Sequence, residues 1–381
     1  MKKLLSLVLA VAMLATCLVG CGGNDSGNDA GNNGGTAAAG YEIALITDKG
    51  NIDDKSFNQG SWEGVLAFCA ENDITHQYYK PEEASDEGYF NAIQLAVDGG
   101  AKVIVCPGYL FEVAVYNAQT QFPDVKFIIL DGEPHTPDYA TYNTEANVAC
   151  VMYAEEEAGY LAGYAAVMDG MRTLGFEGGM AVPAVAAFGY GYLQGIEAAA
   201  NELALEDGSV KVFYHYTGDF AETDANKAVA TAMIASGAEV IFGCGGSVGK
   251  SVFAAAAEGN IKSIGVDVDQ KGDSETVITS ALKGLGASVT AVLTSIYDGT
   301  FESTYAGKTT YFTAANNGVG LPDDYSRFTA FTKEQYEAAY ATLVDGTVDP
   351  IRAFDIADAG AVTAEDLQNN LNLKKVVVEI R

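Results

Sequence analysis

Residues 41–69 read YEIALITDKGNIDDKSFNQGSWEGVLAFC, and this stretch decides the fold class. It opens with an apolar run as long as a strand that is buried on both faces. In the polar junction that follows, Asp54 is a suitable helix N-cap. Apolar side chains then recur at the spacing of one helix face, at Trp62, Val65, Leu66 and Cys69. A strand followed by such a helix is the repeating unit of a parallel α/β sheet.

Six more strand-like runs follow along the chain. They lie at residues 101–108, 125–132, 179–185, 210–218, 238–246 and 261–269. Their alternation with helical segments breaks at three places, which are near residues 135–155, directly after the stretch at 265–280, and around residues 311–322. We therefore predict two α/β lobes, with a chain that crosses between them three times and a cleft between the lobes.

The composition is strongly acidic and excludes several classes of partner. The formal net charge of the 381 residues is −30, and removal of Lys2 and Lys3 with a leader would make it −32. Phosphate binding depends on Lys and Arg, so we exclude nucleic acid, and the four arginines supply few bidentate partners for a phosphorylated ligand. Cysteines and histidines show no ligand spacing, so we predict no metal site, no cofactor and no disulfide framework. The cysteines after the leader are expected to be buried, at Cys69, Cys106, Cys150 and Cys244.

The N-terminus has the pattern of an export signal. Residues 1–20 combine a basic start, an apolar stretch and small residues before Cys21, which resembles the bacterial lipidation site. The alternative is an ordinary secretory signal that ends in cysteine. Residues 21–40 are nearly all Gly, Asn, Asp and Ala, which is typical of a flexible tether. We expect a globule held at a membrane surface by a lipid.

Ligands of open parallel sheets bind beyond the carboxyl ends of the strands. The predicted strand ends carry carboxylates, glycines and aromatic rings, with no basic residue apart from Lys250 close by. That composition suits a neutral, flat ligand that bears hydroxyl groups. The candidate positions at these ends are Asp48, Asp131, Phe188, Gly246 and Asp267.

Some of these side chains also have a purely structural explanation. Asp48 could cap the following helix instead of meeting a ligand. Phe57 could be a hydrophobic staple instead of a ring that stacks on a base. Asp267 and Asp269 alternate along a strand end, so one of them should face the cleft and the other solvent, which argues against a catalytic pair. By its spacing alone, Lys283 reads as a surface lysine.

The stretch CGGSVGKS at residues 244–251 is close to a phosphate-binding loop. It differs from the pattern G-x-x-x-x-G-K-[ST] in Cys244 at the first position. Because it lies between a predicted strand and helix, a nucleotide-binding alternative stays open. The missing glycine, the export signal and the acidic charge favour a glycine-rich turn around Gly246 that lets backbone approach a ligand.

Six motifs together resemble one known family. They are ALITDKGNIDDKSFNQGSWEG, EEEAGYLAG, GMAVPAV with FGYGYLQG, GVDVDQ, TSALKGLGASV and NNGVGL. From residue 41 to about residue 321 the chain resembles the basic membrane protein family of bacterial lipoproteins, which are substrate-binding proteins of purine nucleoside ABC transporters. The resemblance implies a fold similar to type I periplasmic binding proteins, in which two Rossmann-like lobes joined by three hinge crossovers close on a ligand. With the breaks above, we expect lobe 1 at residues 41–134 and 276–308, and lobe 2 at residues 135–275 and 309–381.

The resemblance also implies roles for single residues. Asp48 matches the aspartate that hydrogen-bonds the purine edge. Phe57 matches the phenylalanine that stacks on the base, and Asn58 its neighbouring polar contact. Asp267 and Lys283 match the pair that reads the ribose hydroxyls.

Other positions match the family motifs with departures. Asp131 ends the matching strand of the first lobe, and Phe188 lies in the aromatic motif of the second. Phe220 stands in a motif that matches in part. Ala187 replaces a residue that is often basic in the family, and Asn51 replaces a second glycine, so these departures bear on base preference.

The resemblance implies a non-enzymatic, lipid-anchored receptor on the extracytoplasmic face of a bacterial membrane. It would act as a monomer and deliver purine nucleosides to an ABC permease by cleft closure. The alternatives are a protein of the same fold for a sugar or a signalling molecule, and the nucleotide-binding protein considered above.

Overall fold

The computed structural model describes residues 40–356 and 358–381. The predicted signal peptide at 1–20, the lipidation site Cys21 and all but the last residue of the tether at 21–40 lie outside these ranges. The described residues form two β-sheets with helices between their strands, which confirms the predicted α/β class.

Among the described residues, five strands precede residue 154 and eight follow it. The first five are β1 Ile43–Ile46, β2 His76–Tyr79, β3 Val103–Pro107, β4 Lys126–Leu130 and β5 Val148–Tyr153. The others are β6 Thr173–Gly178, β7 Val210–Tyr216, β8 Val240–Cys244, β9 Lys262–Asp267, β10 Val277–Lys283, β11 Lys308–Phe312, β12 Val319–Gly320 and β13 Val376–Ile380. Strands β1, β3 and β8 are buried along their whole length, which explains their continuous apolar sequences.

Helices follow most of the strands. They are α1 Phe57–Asn72, α2 Asp86–Asp98, α3 Glu112–Gln121, α4 Glu155–Met168, α5 Pro183–Glu202, α6 Asp224–Ala235, α7 Val248–Gly259, α8 Leu285–Asp298, α9 Phe301–Thr304, α10 Lys333–Val344 and α11 Ala364–Asn370. Side-chain hydroxyls of Ser85, Thr223, Thr332 and Thr363 cap α2, α6, α10 and α11. Among the described residues, no helix has the length and apolar character needed to cross a membrane.

The two sheets repeat one topology. The first has the strand order β2-β1-β3-β4-β5-β11 and is parallel throughout. The second has the order β13-β7-β6-β8-β9-β10-β12, in which the short β12 alone runs antiparallel to its neighbour. Leaving out the edge strands β11, β12 and β13, β1 to β5 of the first sheet correspond one by one to β6 to β10 of the second.

The chain passes between the sheets three times, as expected. The crossings lie at Ala154, at Gly284 and at residues 313–318. They are neighbours in space, because Ala154 donates a backbone hydrogen bond of 3.0 Å to Phe312 and Gly284 one of 2.8 Å to Gly318. A Cβ atom at Gly318 would overlap the backbone of Phe312, so this close approach requires glycine.

Strand pairing corrects the boundaries predicted for the lobes. Residues 148–153, expected in lobe 2, form β5 in the first sheet. Residues 277–283, expected in lobe 1, form β10 in the second sheet, and β11 extends the first lobe to Phe312. The polar stretches before β5 and β10 are loops within a lobe, whereas the stretch at 311–322 contains the third crossing. Each crossing falls one strand later than predicted, because β5 and β11 join the first sheet and β10 joins the second.

The apolar run at 179–185 is also assigned differently from the prediction. The strand of this region is β6 at 173–178, and Pro183 begins α5. Proline is favoured in the first turn of a helix because the missing N–H has no partner there in any case. Phe188 therefore lies within a helix rather than just beyond a strand end.

The first helix matches its predicted face in part. Val65 and Cys69 are buried as expected, whereas Leu66 is 37% exposed. Phe68 is buried as well, and Gly64 packs its backbone against Gly286 of α8. The four cysteines of the described residues are buried and free, in agreement with the sequence.

Candidate ligand-binding cleft

Side chains from both sheets line one cavity of about 500 Å³. The ends of β1, β3 and β4 supply one wall, and the ends of β8, β9 and β10 supply the other. All nine ligand-binding residues named from the sequence line this cavity, and their contact with a ligand remains a prediction. They are Asp48, Phe57, Asn58, Asp131, Phe188, Phe220, Gly246, Asp267 and Lys283.

Residues with positive φ angles lie at this cavity, at the ends of equivalent strands in the two sheets. Asp131 follows β4 and Asp267 ends β9, and their φ angles are 56° and 66°. Residues other than glycine rarely adopt this left-handed backbone conformation, although Asp is among those that tolerate it. Gly108 after β3 and Gly245 after β8 form a second equivalent pair, with φ of 116° and 121°. Strained backbone at matched strand ends is typical of functional sites.

Asp48 and Asp54 share one amide at the start of α1. The Nδ2 of Asn58 donates to Asp48 at 2.7 Å and to Asp54 at 2.9 Å, and its Oδ1 accepts from the backbone of Asp48. Both N–H donors of the amide are thereby used, so Asn58 orients Asp48 and has no free donor for the cavity. Asp54 also accepts from the backbone N–H groups of Ser56, Asn58 and Gln59. Its carboxylate therefore caps the first turn of α1, although Ser56 and not Asp54 occupies the N-cap position.

Lys283 is the central cation of the cleft. It ends β10, is 5% exposed, and forms ion pairs with Asp131 and, at 2.9 Å, with Glu155. Burial alone would lower the pKa of Lys283, but the surrounding carboxylates raise it well above its usual range. The interpretation of Lys283 as a surface lysine, drawn from spacing alone, is therefore wrong, because the strand carries this residue into the interior.

Aromatic rings surround the same ammonium group. Its Nζ lies 4.8 Å from the ring centroid of Phe57, 4.8 Å from that of Tyr153 and 5.7 Å from that of Phe188. These distances are within the range of cation–π attraction. Phe57 begins α1 next to the first sheet and Phe188 lies in α5 next to the second, so rings from both lobes meet at Lys283.

Asp267 joins the lobes at a second point. The hydroxyl of Ser56 donates to Asp267 at 2.5 Å, and Gln270 donates to the backbone of Lys55 at 2.8 Å. Asp267 is 5% exposed, while Asp269 is exposed and caps the following turn, in agreement with the predicted alternation. Burial raises the pKa of Asp267 to about 6, against the opposing effects of Lys283 and Ser56.

Asp48 also has a raised pKa. Burial raises it to about 6, although the hydrogen bonds from Asn58 and Gly50 act in the opposite direction. Its Oδ1 accepts both of those bonds. In the described part of the chain, no donor reaches Oδ2, so that oxygen is available to a ligand.

The glycine-rich turn meets Phe220 at the second wall. Gly246 has φ of 51°, and a Cβ atom there would lie 3.0 Å from Phe220. Ser247 donates its backbone N–H to the carbonyl of Phe220 at 2.9 Å. Lys250 lines the cavity one turn into α7. The turn thus brings backbone and an aromatic ring together at the cavity, and glycine is required for that packing.

Several further polar residues belong to the cleft and were not identified from the sequence, among them Tyr109, Glu155 and Arg352. Tyr109 and Arg352 line the cavity, and Glu155 is fully buried between Lys283 and Arg352. Glu155 lies in an acidic run at a helix start, a common surface pattern. Arg352 lies in a segment without periodicity. The one feature that could have pointed to it is the scarcity of arginine in the chain.

The two α/β lobes, each built on a largely parallel sheet, face each other across a cavity and are joined by three adjacent crossings. This arrangement defines a two-lobed binding protein of the periplasmic type. The crystal structure of an ABC transporter solute-binding protein from Aeropyrum pernix has the same fold. It aligns with a TM-score of 0.73 and 20% identity, over 88% of this chain and all of that chain.

The family follows from the sequence comparison. A family model described as "Bmp: ABC transporter substrate-binding protein PnrA-like" matches residues 42–342. The chain therefore belongs to the Bmp family of ABC transporter substrate-binding proteins. The ABC transporter nucleoside-binding protein BmpA of Lactococcus lactis is 28% identical over 337 residues, 82% of this chain and 90% of that protein. Basic membrane protein A1 of Borrelia garinii is 32% identical over 267 residues, 68% of this chain and 74% of that protein.

Proposed function

We propose that this protein binds purine nucleosides in the cleft between its lobes. The observation that carries the proposal is that Phe57 and Phe188, which belong to opposite lobes, both line the cavity, with ring centroids 4.8 and 5.7 Å from the ammonium group of Lys283. Two aromatic faces suit a flat base, and each aromatic pair contributes about 0.5–1.5 kcal/mol beyond the burial of area. The Lactococcus relative is named as a nucleoside-binding protein, which is consistent with this proposal.

Unused carboxylate oxygens supply the polar side of the proposed site. Asp131 keeps a buried Oδ1 without a hydrogen-bond partner among the described residues. Asp48 and Asp267 each engage one oxygen in the hydrogen bonds given above and leave the other for a ligand. Base N–H groups and ribose hydroxyls would donate to these oxygens, and a ligand that lacks those donors would leave buried acceptors unpaired.

The family places the protein with an ABC transporter, and we propose the remaining steps from this architecture. Residues 1–20 would direct export, and a lipid on Cys21 would hold the protein at the extracytoplasmic face of the membrane. Hinge motion at the three crossings would close the cleft on the nucleoside, and a permease would receive the closed form. The protein would act as a monomer and without catalysis.

Calorimetry tests the ligand class. Purified protein is titrated with inosine, guanosine, adenosine, uridine and ribose. We expect purine nucleosides to bind more tightly than uridine, and ribose to bind weakly or not at all, because ribose lacks the flat face that the rings require. A preference for ribose over every nucleoside would contradict the proposal and favour a sugar-binding role.

A second candidate is nucleotide binding at the turn that precedes α7. It is favoured by one observation, that Lys250 and Gly246 line the same cavity. If this were the function, ATP would bind more tightly than adenosine, and Lys250→Ala would abolish that difference. We expect no such difference, because seven Asp and Glu side chains also line the cavity and repel phosphate groups.

A further inference from the structure

Arg352 enters the cleft from a part of the chain that follows the family match. The match ends at residue 342, while Arg352 lines the cavity. Its Nη1 contacts Glu155 at 2.5 Å, Glu156 at 2.7 Å and the backbone carbonyl of Tyr153 at 2.6 Å. These three residues flank the first crossing at Ala154, so Arg352 binds the wall of the cleft at a hinge.

The segment around Arg352 is fixed on both sides. The side-chain amide of Gln194 accepts from the backbone N–H of Ile351 at 2.8 Å and donates to its carbonyl at 3.0 Å. Phe354 packs against Tyr190 with 4.7 Å between ring centroids. Gln194 and Tyr190 lie on α5, the helix that also carries Phe188. Arg352 is therefore held by the same element that supplies an aromatic wall of the cavity.

Charges alternate along a continuous row from Arg352 to the first sheet. The two oxygens of Glu155 contact different cations, Oε2 with Arg352 and Oε1 with Lys283. Lys283 in turn pairs with Asp131. The row is nearly dry, since the side chains of Glu155, Lys283 and Asp131 are 0%, 2% and 11% exposed.

We propose that Arg352 is a positioning residue for ligand binding, which acts through Glu155 on Lys283. By neutralising one oxygen of Glu155, Arg352 leaves Lys283 shared between Glu155 and Asp131, with its ammonium group directed into the cavity. Without Arg352, the buried charge of Glu155 depends on Lys283 alone, which draws Lys283 toward Glu155 and away from Asp131. The inference rests on the proposed function, because a nucleoside is the ligand whose affinity reports the position of Lys283.

Four variants test this row of charges by calorimetry with the nucleoside that the wild-type protein binds best. Arg352→Gln removes the charge and is expected to weaken binding about tenfold, within the range of coupling between residues in contact. Arg352→Lys keeps the charge and should recover most of the loss. If Arg352 acts through Glu155, the double variant R352Q/E155Q binds no more weakly than E155Q alone, because the two substitutions are coupled.

Arg172 provides the matched control. It is also partly buried and donates to backbone carbonyls, of Val167 and Met171, but it does not line the cavity. Arg172→Gln should leave the affinity unchanged. Three outcomes would each overturn the inference. They are wild-type affinity in R352Q, equal weakening in folded R352K and R352Q, and losses that multiply in the double variant.

Urea unfolding of the same proteins separates this inference from the proposed function. The coupling between R352Q and E155Q is also expected in the free energy of unfolding, whatever ligand the cleft binds. Independent effects of the two substitutions on unfolding would contradict the inference. Failure of the wild-type protein to bind any nucleoside, with the coupling intact, would contradict the proposed function alone. If R352Q does not fold, the double variant should fold better than R352Q, since it removes the carboxylate of Glu155 and leaves only Glu156 without its contact to Arg352.

Discussion

Lys283 and Asp131 lie 152 residues apart in the chain and form a buried ion pair between the two sheets. Lys283 is the last residue of β10, and Asp131 is the first residue after β4. The pair therefore bridges the two walls of the cleft. Any motion that opens the lobes has to separate or rearrange these charges, so the residues expected to contact a ligand also hold the lobes together.

Lys283→Met should destabilise the protein strongly. The substitution leaves Asp131 without a cation among the described residues and Glu155 with Arg352 alone, and breaking a buried pair from one side costs about 3–5 kcal/mol. Lys102→Met is the control, because its contact with Glu42 spans 3.3 Å and its side chain is 70% exposed. The control should cost less than about 1 kcal/mol. Urea unfolding near neutral pH measures both, and equal losses would contradict the role given to Lys283.

Phe57→Leu should weaken purine nucleoside binding with little loss of stability. Leucine keeps apolar volume at the helix start but removes the flat face, so the expected loss is about two- to tenfold in affinity. Phe122 is a partly buried phenylalanine outside the cavity, and Phe122→Leu serves as the control. Calorimetry should show wild-type affinity for the control. Undiminished binding by F57L would mean that Phe57 is a hydrophobic staple and does not stack on a base.

Glu177 gives stability a pH dependence that is independent of the cleft. It lies in β6, is fully buried, and neither of its carboxylate oxygens has a hydrogen-bond partner among the described residues. Burial raises its pKa to about 8. The folded protein therefore holds this proton up to about pH 8, whereas the unfolded chain releases it near the ordinary glutamate value. Stability is complete below that ordinary value and falls as the pH rises toward 8.

Glu177→Gln should remove this contribution. At about pH 9 the variant is expected to exceed the wild type by roughly 4 kcal/mol in free energy of unfolding, and at about pH 5 by much less. The other carboxyl groups cancel in the comparison, because both proteins contain them. Urea unfolding at the two pH values is the measurement. A difference that does not change with pH would show that Glu177 is ionised in the folded protein throughout.

Asp48→Asn should lower nucleoside affinity about ten- to a hundredfold, because the amide replaces an acceptor oxygen with a donor. The exposed Asp124 makes no side-chain hydrogen bond among the described residues, so Asp124→Asn is the control. Wild-type affinity should also fall as the pH drops below about 6, where Asp48 and Asp267 take up protons. Equal affinity of wild type and D48N would show that Asp48 is only a structural cap.

Local patterns in the sequence were sufficient for the alternation of strands and helices and for the strand-end positions of Asp48, Asp131 and Asp267. Parallel sheets bring their strand ends to one edge, so sequence order places Asp48 and Asp131 at the same edge of the first sheet. Asp267 ends a strand of the second sheet, so its approach to them depends on how the two lobes face each other. The roles expected for Phe57 and Lys283 came from family resemblance. From the sequence alone, Phe57 could equally be a hydrophobic staple, and Lys283 read as a surface lysine.

Long-range contacts determine the features of the site and the fold that could not be predicted from the sequence. One of the two cationic partners of Glu155 is Arg352, which lies far along the chain in a segment whose own pattern predicts no element. The lobe boundaries were wrong for a similar reason. A polar stretch such as 135–147 marks a loop, but which sheet the next strand joins depends on pairing with distant strands.

The most direct test of the nucleoside proposal is mass spectrometry of the small molecules released from natively purified protein. Wild-type protein and Asp48→Ala are prepared in parallel from cells grown with added purine nucleosides, and then unfolded. We predict a purine nucleoside released from the wild type and depleted from the variant. Release of a sugar or another ligand class from the wild type, or equal amounts of nucleoside from both proteins, would contradict the account.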